Sequence, residues 1–222
     1  MKKSFGLAIG KLQKIKSTFM SNLLLSKSSV IHIPKCAGTF LQAFLNNLKL
    51  PKYRYTEPQN GHLFLHQMTQ SVATYNFTFV RHPYTWWPSF YHWSKNTRFS
   101  EMERQCPDFD TWVQDYGPFW MGLYTQLVKR YIGEDPVYAS DVKMHFIGKT
   151  ENIFEDLHTA LINASEEFEE NRFQHLVKNH NTNESLVKWS NKQTYHREIS
   201  DASKDIIYQT ERYIFDKFNY SK

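Results

Sequence analysis

Cysteine is scarce in this chain: 222 residues carry only two, Cys36 and Cys106. Two cannot form the disulfide framework of a small stapled fold, so stability has to come from a hydrophobic core, and the pair is expected as free thiols in a reducing compartment. Long apolar runs are missing too. No stretch approaches the roughly 20 residues that span a bilayer as a helix, so no transmembrane anchor is expected. Glycine is sparse, with eight in all, and none begins the Walker order of Gly, four residues, then Gly-Lys-Ser/Thr. No His, Cys, Asp or Glu group has metal-ligand spacing, so no metal is expected. Internal repeats and low-complexity linkers are also absent.

The residues that are present describe a folded, basic globule. Hydrophobic residues make up 41% of the chain and aromatic ones 16%, well above what a disordered segment carries. At this length one domain with a substantial core is expected. The formal net charge of +5 favours anionic partners, but a nucleotide, a sulfated polymer, nucleic acid and a membrane surface all meet that description.

The most informative stretch is Ser29-Val30-Ile31-His32-Ile33-Pro34-Lys35-Cys36-Ala37-Gly38-Thr39. A short apolar strand runs into a small-residue loop with a Lys, and the loop opens a helix. Unpaired N–H groups and the positive end of the helix dipole suit a phosphate or sulfate at such a place. The plain alternative is an ordinary strand-to-helix turn with an exposed lysine. A second stretch, Asn76-Phe77-Thr78-Phe79-Val80-Arg81-His82-Pro83, reads as a strand ending at Arg81, with Pro83 suited to the first turn of a helix. From that end Arg81 can pair with a phosphate through two donors, and Ser89, about two turns on, adds a hydroxyl.

The remaining pattern alternates. It predicts strands at 30–33, 77–81 and 142–147, and helices at 38–48, 83–96 (bent at Pro88), 109–116, 119–131, 152–163 and 200–218. Short strands alternating with helices imply an α/β fold with a central parallel sheet, in three α/β/α layers. Ligands of such sheets bind at the carboxyl ends of the strands, where Lys35 and Arg81 both fall. The run Glu166-Glu167-Phe168-Glu169-Glu170 reads as a solvated helix face. Trp86, Trp87, Trp93, Trp112 and Trp120 read as core, or alternatively as stacking surfaces for sugar rings.

At this point the chain resembles the sulfotransferases that use 3'-phosphoadenosine 5'-phosphosulfate (PAPS), especially the Golgi-type and bacterial branch that modifies carbohydrates. His32-Ile33-Pro34-Lys35-Cys36-Ala37-Gly38-Thr39 is similar to that branch's 5'-phosphosulfate loop, His-Ile-Pro-Lys-Thr-Gly-Gly-Thr. Phe79-Val80-Arg81-His82-Pro83 with Ser89 is similar to its 3'-phosphate motif. Phe146 to Leu157 and the closing stretch from Tyr195 to Tyr220 fit more loosely, so the resemblance covers residues 28 to 220. Two departures stand out. Cys36 and Ala37 replace the commoner Thr-Gly, removing a hydroxyl and some backbone freedom, and His82 stands where Asp or Glu is frequent.

The resemblance implies a P-loop-like sulfotransferase domain over residues 28–222 and PAPS as donor co-substrate without a metal. Lys35 would stabilise the leaving oxygen. The backbone of Ala37, Gly38 and Thr39 and the Thr39 hydroxyl would hold the 5'-phosphate, with Pro34, Cys36 and Phe40 completing the cradle. Arg81 and Ser89 would hold the 3'-phosphate, and Lys192, in a polar stretch with Lys188 and Ser190, would lie near the nucleotide. His62 is the first choice for the base that deprotonates an acceptor hydroxyl, with His66 and Glu57 as rivals. The acceptor class is a hydroxyl-bearing carbohydrate, and nucleic acid is not expected as a partner.

Residues 1–27 form a basic extension in which lysines interrupt every apolar run, so a cleaved signal is not expected. This extension reads as a helix or a partly ordered arm, with weak contact to a membrane surface as the alternative. A cytoplasmic location follows. The competing functions are a nucleotide or small-molecule kinase, disfavoured by the missing Walker order, and a non-catalytic module that binds anionic glycans.

Overall fold

The computed structural model of the chain describes residues 22–50, 53–54, 64–67, 74–97, 106–120, 122–138, 140–187 and 199–222. The chain divides into two compact units, Met1–Val80 with Lys129–Gln193, and Arg81–Val128 with Thr194–Lys222.

The first unit holds a five-stranded sheet in the order β3-β1-β2-β4-β5, formed by β1 (Leu23–Leu24), β2 (Ser28–Ile31), β3 (Tyr53–Arg54), β4 (Tyr75–Val80) and β5 (Phe146–Lys149). The pairs β2–β4 and β4–β5 are parallel, with Ile31 opposite Thr78 and Phe79 opposite Gly148. The central strands are parallel, as read from the sequence, and one edge is antiparallel, because β1 runs antiparallel to both β2 and β3. A tight turn explains the β1–β2 pair. Leu25 N–H donates to the Ser28 carbonyl at 2.8 Å, and a connection that short can join only antiparallel strands. No strand was expected at Leu23–Leu24, which lies within the stretch read as an extension.

Phe77 and Phe79 alternate with Thr78 along β4 and join one apolar cluster with Leu41, Phe44, Leu157, Leu161 and Phe173. The helix Gly38–Asn47 supplies Phe40, Leu41, Phe44 and Leu45 to that cluster, a spacing that puts all four on one stripe. The helix Ile153–Asn163 adds Leu157, Ala160 and Leu161. Polar side chains inside the sheet are paired. Ser29 Oγ donates to Asn76 Oδ1 and Thr78 Oγ1 to the Ile31 carbonyl, each at 2.6 Å, which removes the cost of burying them.

The acidic run differs from its reading as a solvated helix face. Glu166 is buried, and its Oε1 accepts from Lys27 N–H at 2.7 Å and Ser28 Oγ at 2.8 Å. It ties the start of β2 to the segment after the helix Ile153–Asn163, and a helix begins only at Glu170.

The second unit is helical. Pro83–Thr97 continues through the buried Pro88, and Phe109–Trp120 follows. Trp86 stacks between Phe90 and Tyr124, at 5.0 Å and 4.4 Å, and Trp87 packs on Trp112 at 5.5 Å. Trp86, Trp87 and Trp112 are all buried, so these three rings form core and offer no surface to a sugar. The closing helix expected at 200–218 is two helices, Asp201–Thr210 and Arg212–Lys217, broken at Glu211. Ser200 caps the first, accepting from Ser203 N–H, and is itself held by Asp110 Oδ1 at 2.9 Å. Among the described residues, no helix is long and apolar enough to cross a membrane.

Candidate functional site

The loop after β2 is built from two left-handed residues. Cys36 N–H donates to the Ile33 carbonyl at 3.1 Å, closing a turn with Pro34 second and Lys35 third. Lys35 takes φ 67°, the sign that the third position of a type II turn requires. Ala37 follows with φ 59° and ψ 14° and opens the helix Gly38–Asn47, its carbonyl accepting from Leu41 N–H at 3.0 Å. A commoner Gly at position 37 would reach this conformation freely. Ala37 adopts it against a cost of about 1 kcal/mol, so the substitution read as lost freedom leaves the left-handed shape in place.

Gly38 lies against a side chain that would have to move for any larger residue. A Cβ at this position would collide with the imidazole of His32, and the backbone N–H of His32 donates to Asn22 Oδ1 at 2.9 Å. The helix that starts here carries no side-chain cap and no acidic residue in its first turn. The first N–H groups therefore present the positive end of the dipole with no internal anion to offset it, an arrangement that suits a phosphate or sulfate. Phe40 is buried in the core, so only its backbone can serve such a ligand.

Cys36 is 2% exposed. Its thiol turns inward, near the fully buried Tyr131, whose hydroxyl is held protonated first by burial and then by this thiol. With its N–H already given to Ile33, Cys36 shapes the loop from beneath. Neither Cys36 nor Cys106 is in a disulfide, and both are buried.

Parallel pairing makes β2 and β4 end at the same edge of the sheet. The Lys35 loop leaves there from β2, and Arg81 directly follows Val80, the last residue of β4. Arg81 is held twice. The Tyr124 hydroxyl accepts from its N–H at 2.7 Å and donates to its carbonyl at 2.9 Å, and its Nε donates to Thr85 Oγ1 at 3.0 Å. Ser89 lies buried on the helix Pro83–Thr97.

His82 acquires a role that the sequence did not assign. Its carbonyl accepts from Thr85 and Trp86 N–H, each at 2.9 Å, and its Nδ1 accepts from Tyr84 N–H at 3.2 Å. It therefore caps the helix that begins at Pro83, the job an Asp does in this position elsewhere. With Nδ1 as acceptor, Nε2 carries the proton and donates to the Ser221 carbonyl at 3.1 Å.

Of the candidate bases, His66 is described, whereas His62, Glu57 and the nucleotide-side Lys192 lie outside the described residues. His66 sits in the turn Leu65–Gln67 and stacks between Phe64 and Tyr138, at 5.7 Å and 5.0 Å. Burial first, and the nearby Arg130 guanidinium second, lower its pKa, which keeps the ring neutral and able to accept a proton. Phe64 also packs on Tyr131 at 4.7 Å, linking this cluster to the ring beside Cys36.

Sequence reasoning also missed Glu211. Its carboxylate is fully buried and accepts from Tyr124 N–H at 3.2 Å and from Thr125 N–H and Oγ1 at 2.7 Å and 2.6 Å. It thereby caps the helix Leu123–Ile132 from a distant part of the chain. The only signal was a Glu inside a predicted helix. No protein-family model matches the chain, and no curated protein or solved structure matches it.

Proposed function

We propose that the chain is a sulfotransferase that moves the sulfuryl group of PAPS to a hydroxyl acceptor of carbohydrate class. One observation carries this reading. The loop Pro34–Ala37 reaches an uncapped, acid-free helix start through left-handed backbone at both Lys35 and Ala37, in a chain whose spelling there resembles the family's phosphosulfate loop.

The donor supplies an activated sulfuryl group on a phosphate. The acceptor oxygen attacks sulfur in line, the sulfur–oxygen bond to the phosphate breaks, and the hydroxyl proton passes to a base. Positioning and charge stabilisation supply most of the acceleration in such transfers. Lys35 meets the charge that develops on the leaving oxygen, and the N–H groups of Gly38 and Thr39 with the Thr39 hydroxyl hold the 5'-phosphate. Arg81 and Ser89 hold the 3'-phosphate. His66 joins His62 and Glu57 as a candidate base because its imidazole is neutral. The same reading takes the fold as the three-layer α/β/α sulfotransferase architecture and the cytoplasm as the location.

Thermal melts with adenosine 3',5'-bisphosphate, ATP and adenosine 5'-phosphosulfate test it. The bisphosphate at about 100 times its dissociation constant stabilises the chain by roughly 2.7 kcal/mol. Stabilisation by ATP with none from the bisphosphate would turn the reading to a kinase. Activity on a panel of oligosaccharides then tests the acceptor class.

A further inference from the structure

Arg81 has to be presented in one orientation if it is to grip a phosphate, and a single residue at the end of a strand does not hold itself. Three layers of hydrogen bonds hold it here. Nearest is Thr85, whose Oγ1 accepts from Arg81 Nε and donates to the His82 carbonyl at 3.0 Å, so the guanidinium is aimed by the first turn of the helix that follows it. Next is Tyr124, whose hydroxyl bonds both the N–H and the carbonyl of Arg81. Its ring is fully buried and stacked on Trp86 at an interplanar angle of 13°. Behind Tyr124 stands Glu211, which takes the first N–H groups of the helix that carries Tyr124.

We propose that Glu211 is a positioning residue for the phosphate grip of Arg81, acting through the start of the helix Leu123–Ile132 and the Tyr124 hydroxyl. Three features support this. Glu211 breaks what would otherwise be one continuous closing helix, so its inward turn is made at the expense of regular structure. Its three short hydrogen bonds come from Tyr124 and Thr125, on one helix start, with the Trp87 indole as a further, weaker donor. The Tyr124 hydroxyl in turn bonds both the N–H and the carbonyl of Arg81. A carboxylate placed merely to stabilise the unit would not require the residue that it anchors to end on the phosphate-binding arginine.

The inference rests on the reading of Arg81 as the 3'-phosphate contact, and the experiment separates the two. The full chain, Arg81→Ala, Tyr124→Phe and Glu211→Gln are each titrated with adenosine 3',5'-bisphosphate and with adenosine 5'-monophosphate, which lacks the 3'-phosphate. The readout is the ratio of the two affinities. It falls by about tenfold in Tyr124→Phe, the worth of one good hydrogen bond, and comparably in Glu211→Gln, while monophosphate affinity stays within about twofold. Arg81→Ala abolishes the preference. An unchanged ratio in Tyr124→Phe, with the preference lost in Arg81→Ala, overturns the positioning role alone. An unchanged ratio in Arg81→Ala overturns the reading beneath it, and the inference with it. An unchanged ratio in Glu211→Gln overturns the role of Glu211, and if that variant fails to fold, Thr125→Val, which removes one donor to the carboxylate and leaves Tyr124 in place, is read the same way.

Discussion

The imidazole of His32 occupies the space that a Cβ on residue 38 would need. The glycine at the start of the helix Gly38–Asn47 thus accommodates the present position of a ring six residues earlier, with no positive φ behind it. Gly38→Ala forces that ring to move and is expected to destabilise the chain by about 1–3 kcal/mol. Denaturant unfolding of Gly38→Ala and of the His32→Ala/Gly38→Ala double variant checks this, because removing the ring restores room for the methyl group. A double variant no more stable than Gly38→Ala would show that some other contact demands the glycine.

Ala37 pays the steric cost of a left-handed backbone that glycine does not. Ala37→Gly is expected to raise stability by up to about 1 kcal/mol, and Ala37→Val to lower it, since a β-branched side chain tolerates positive φ poorly. Melting temperatures rank the three. Ala37→Gly melting well below the parent would mean that the loop relies on the methyl group for packing.

If Lys35 meets the leaving oxygen, its effect is confined to the transition state. Lys35→Ala is expected to cut turnover by about 100-fold or more while bisphosphate affinity changes only a few-fold. Single-turnover kinetics beside calorimetric titration separate the two. A loss confined to binding would remove Lys35 from the chemistry.

The histidine cap makes its own prediction. His82→Ala leaves the Tyr84 N–H without its acceptor and is expected to cost about 1 kcal/mol. His82→Asp restores an acceptor and adds a negative charge at the helix start, which recovers part of that loss. Chemical denaturation of both variants tests the order, and an Asp variant weaker than the Ala one would mean that the imidazole matters mainly through its bond to Ser221.

Burial pushes the Glu211 carboxyl up to about 7, against the opposing pull of its hydrogen bonds from Thr125 and Tyr124. The folded chain thus holds this proton more tightly than the unfolded chain does. The linked stability is fully present below the ordinary carboxylate range near 4.5 and is lost as pH rises through about 7. The melting temperature of the parent minus that of Glu211→Gln is expected to be largest near pH 4.5 and to shrink toward pH 8, because the amide does not titrate. A difference that grows with pH would reverse the sign and refute the assignment.

Much of the backbone that carries the candidate site was legible because its signals are local. The Ile31-to-Thr39 stretch announces a strand, a turn and a helix start through neighbouring residues alone. The β-rich run into Arg81 and the proline at 83 do the same for β4 and the helix after it. The sequence did not reveal the antiparallel edge at Leu23–Leu24, since two-residue strands have no periodicity to detect. Nor did it reveal the buried Glu166 within an acidic run, whose meaning depends on Ser28 in a strand far off in sequence.

By itself the sequence determined the parallel strand–helix framework, the placement of Lys35 and Arg81 just beyond two strand ends, and the scarcity of cysteine that leaves both outside any disulfide. Those depend on residue order and on propensities that act over one or two turns of chain. Only the tertiary structure decided that Cys36 faces the core, that three tryptophans are packing rather than ligand surface, and that Glu211 caps a helix 87 residues earlier in the chain. Each of these is an interaction between residues far apart in sequence. What selects it is the cost of leaving a buried polar group unpaired or a core unfilled, which no local pattern records.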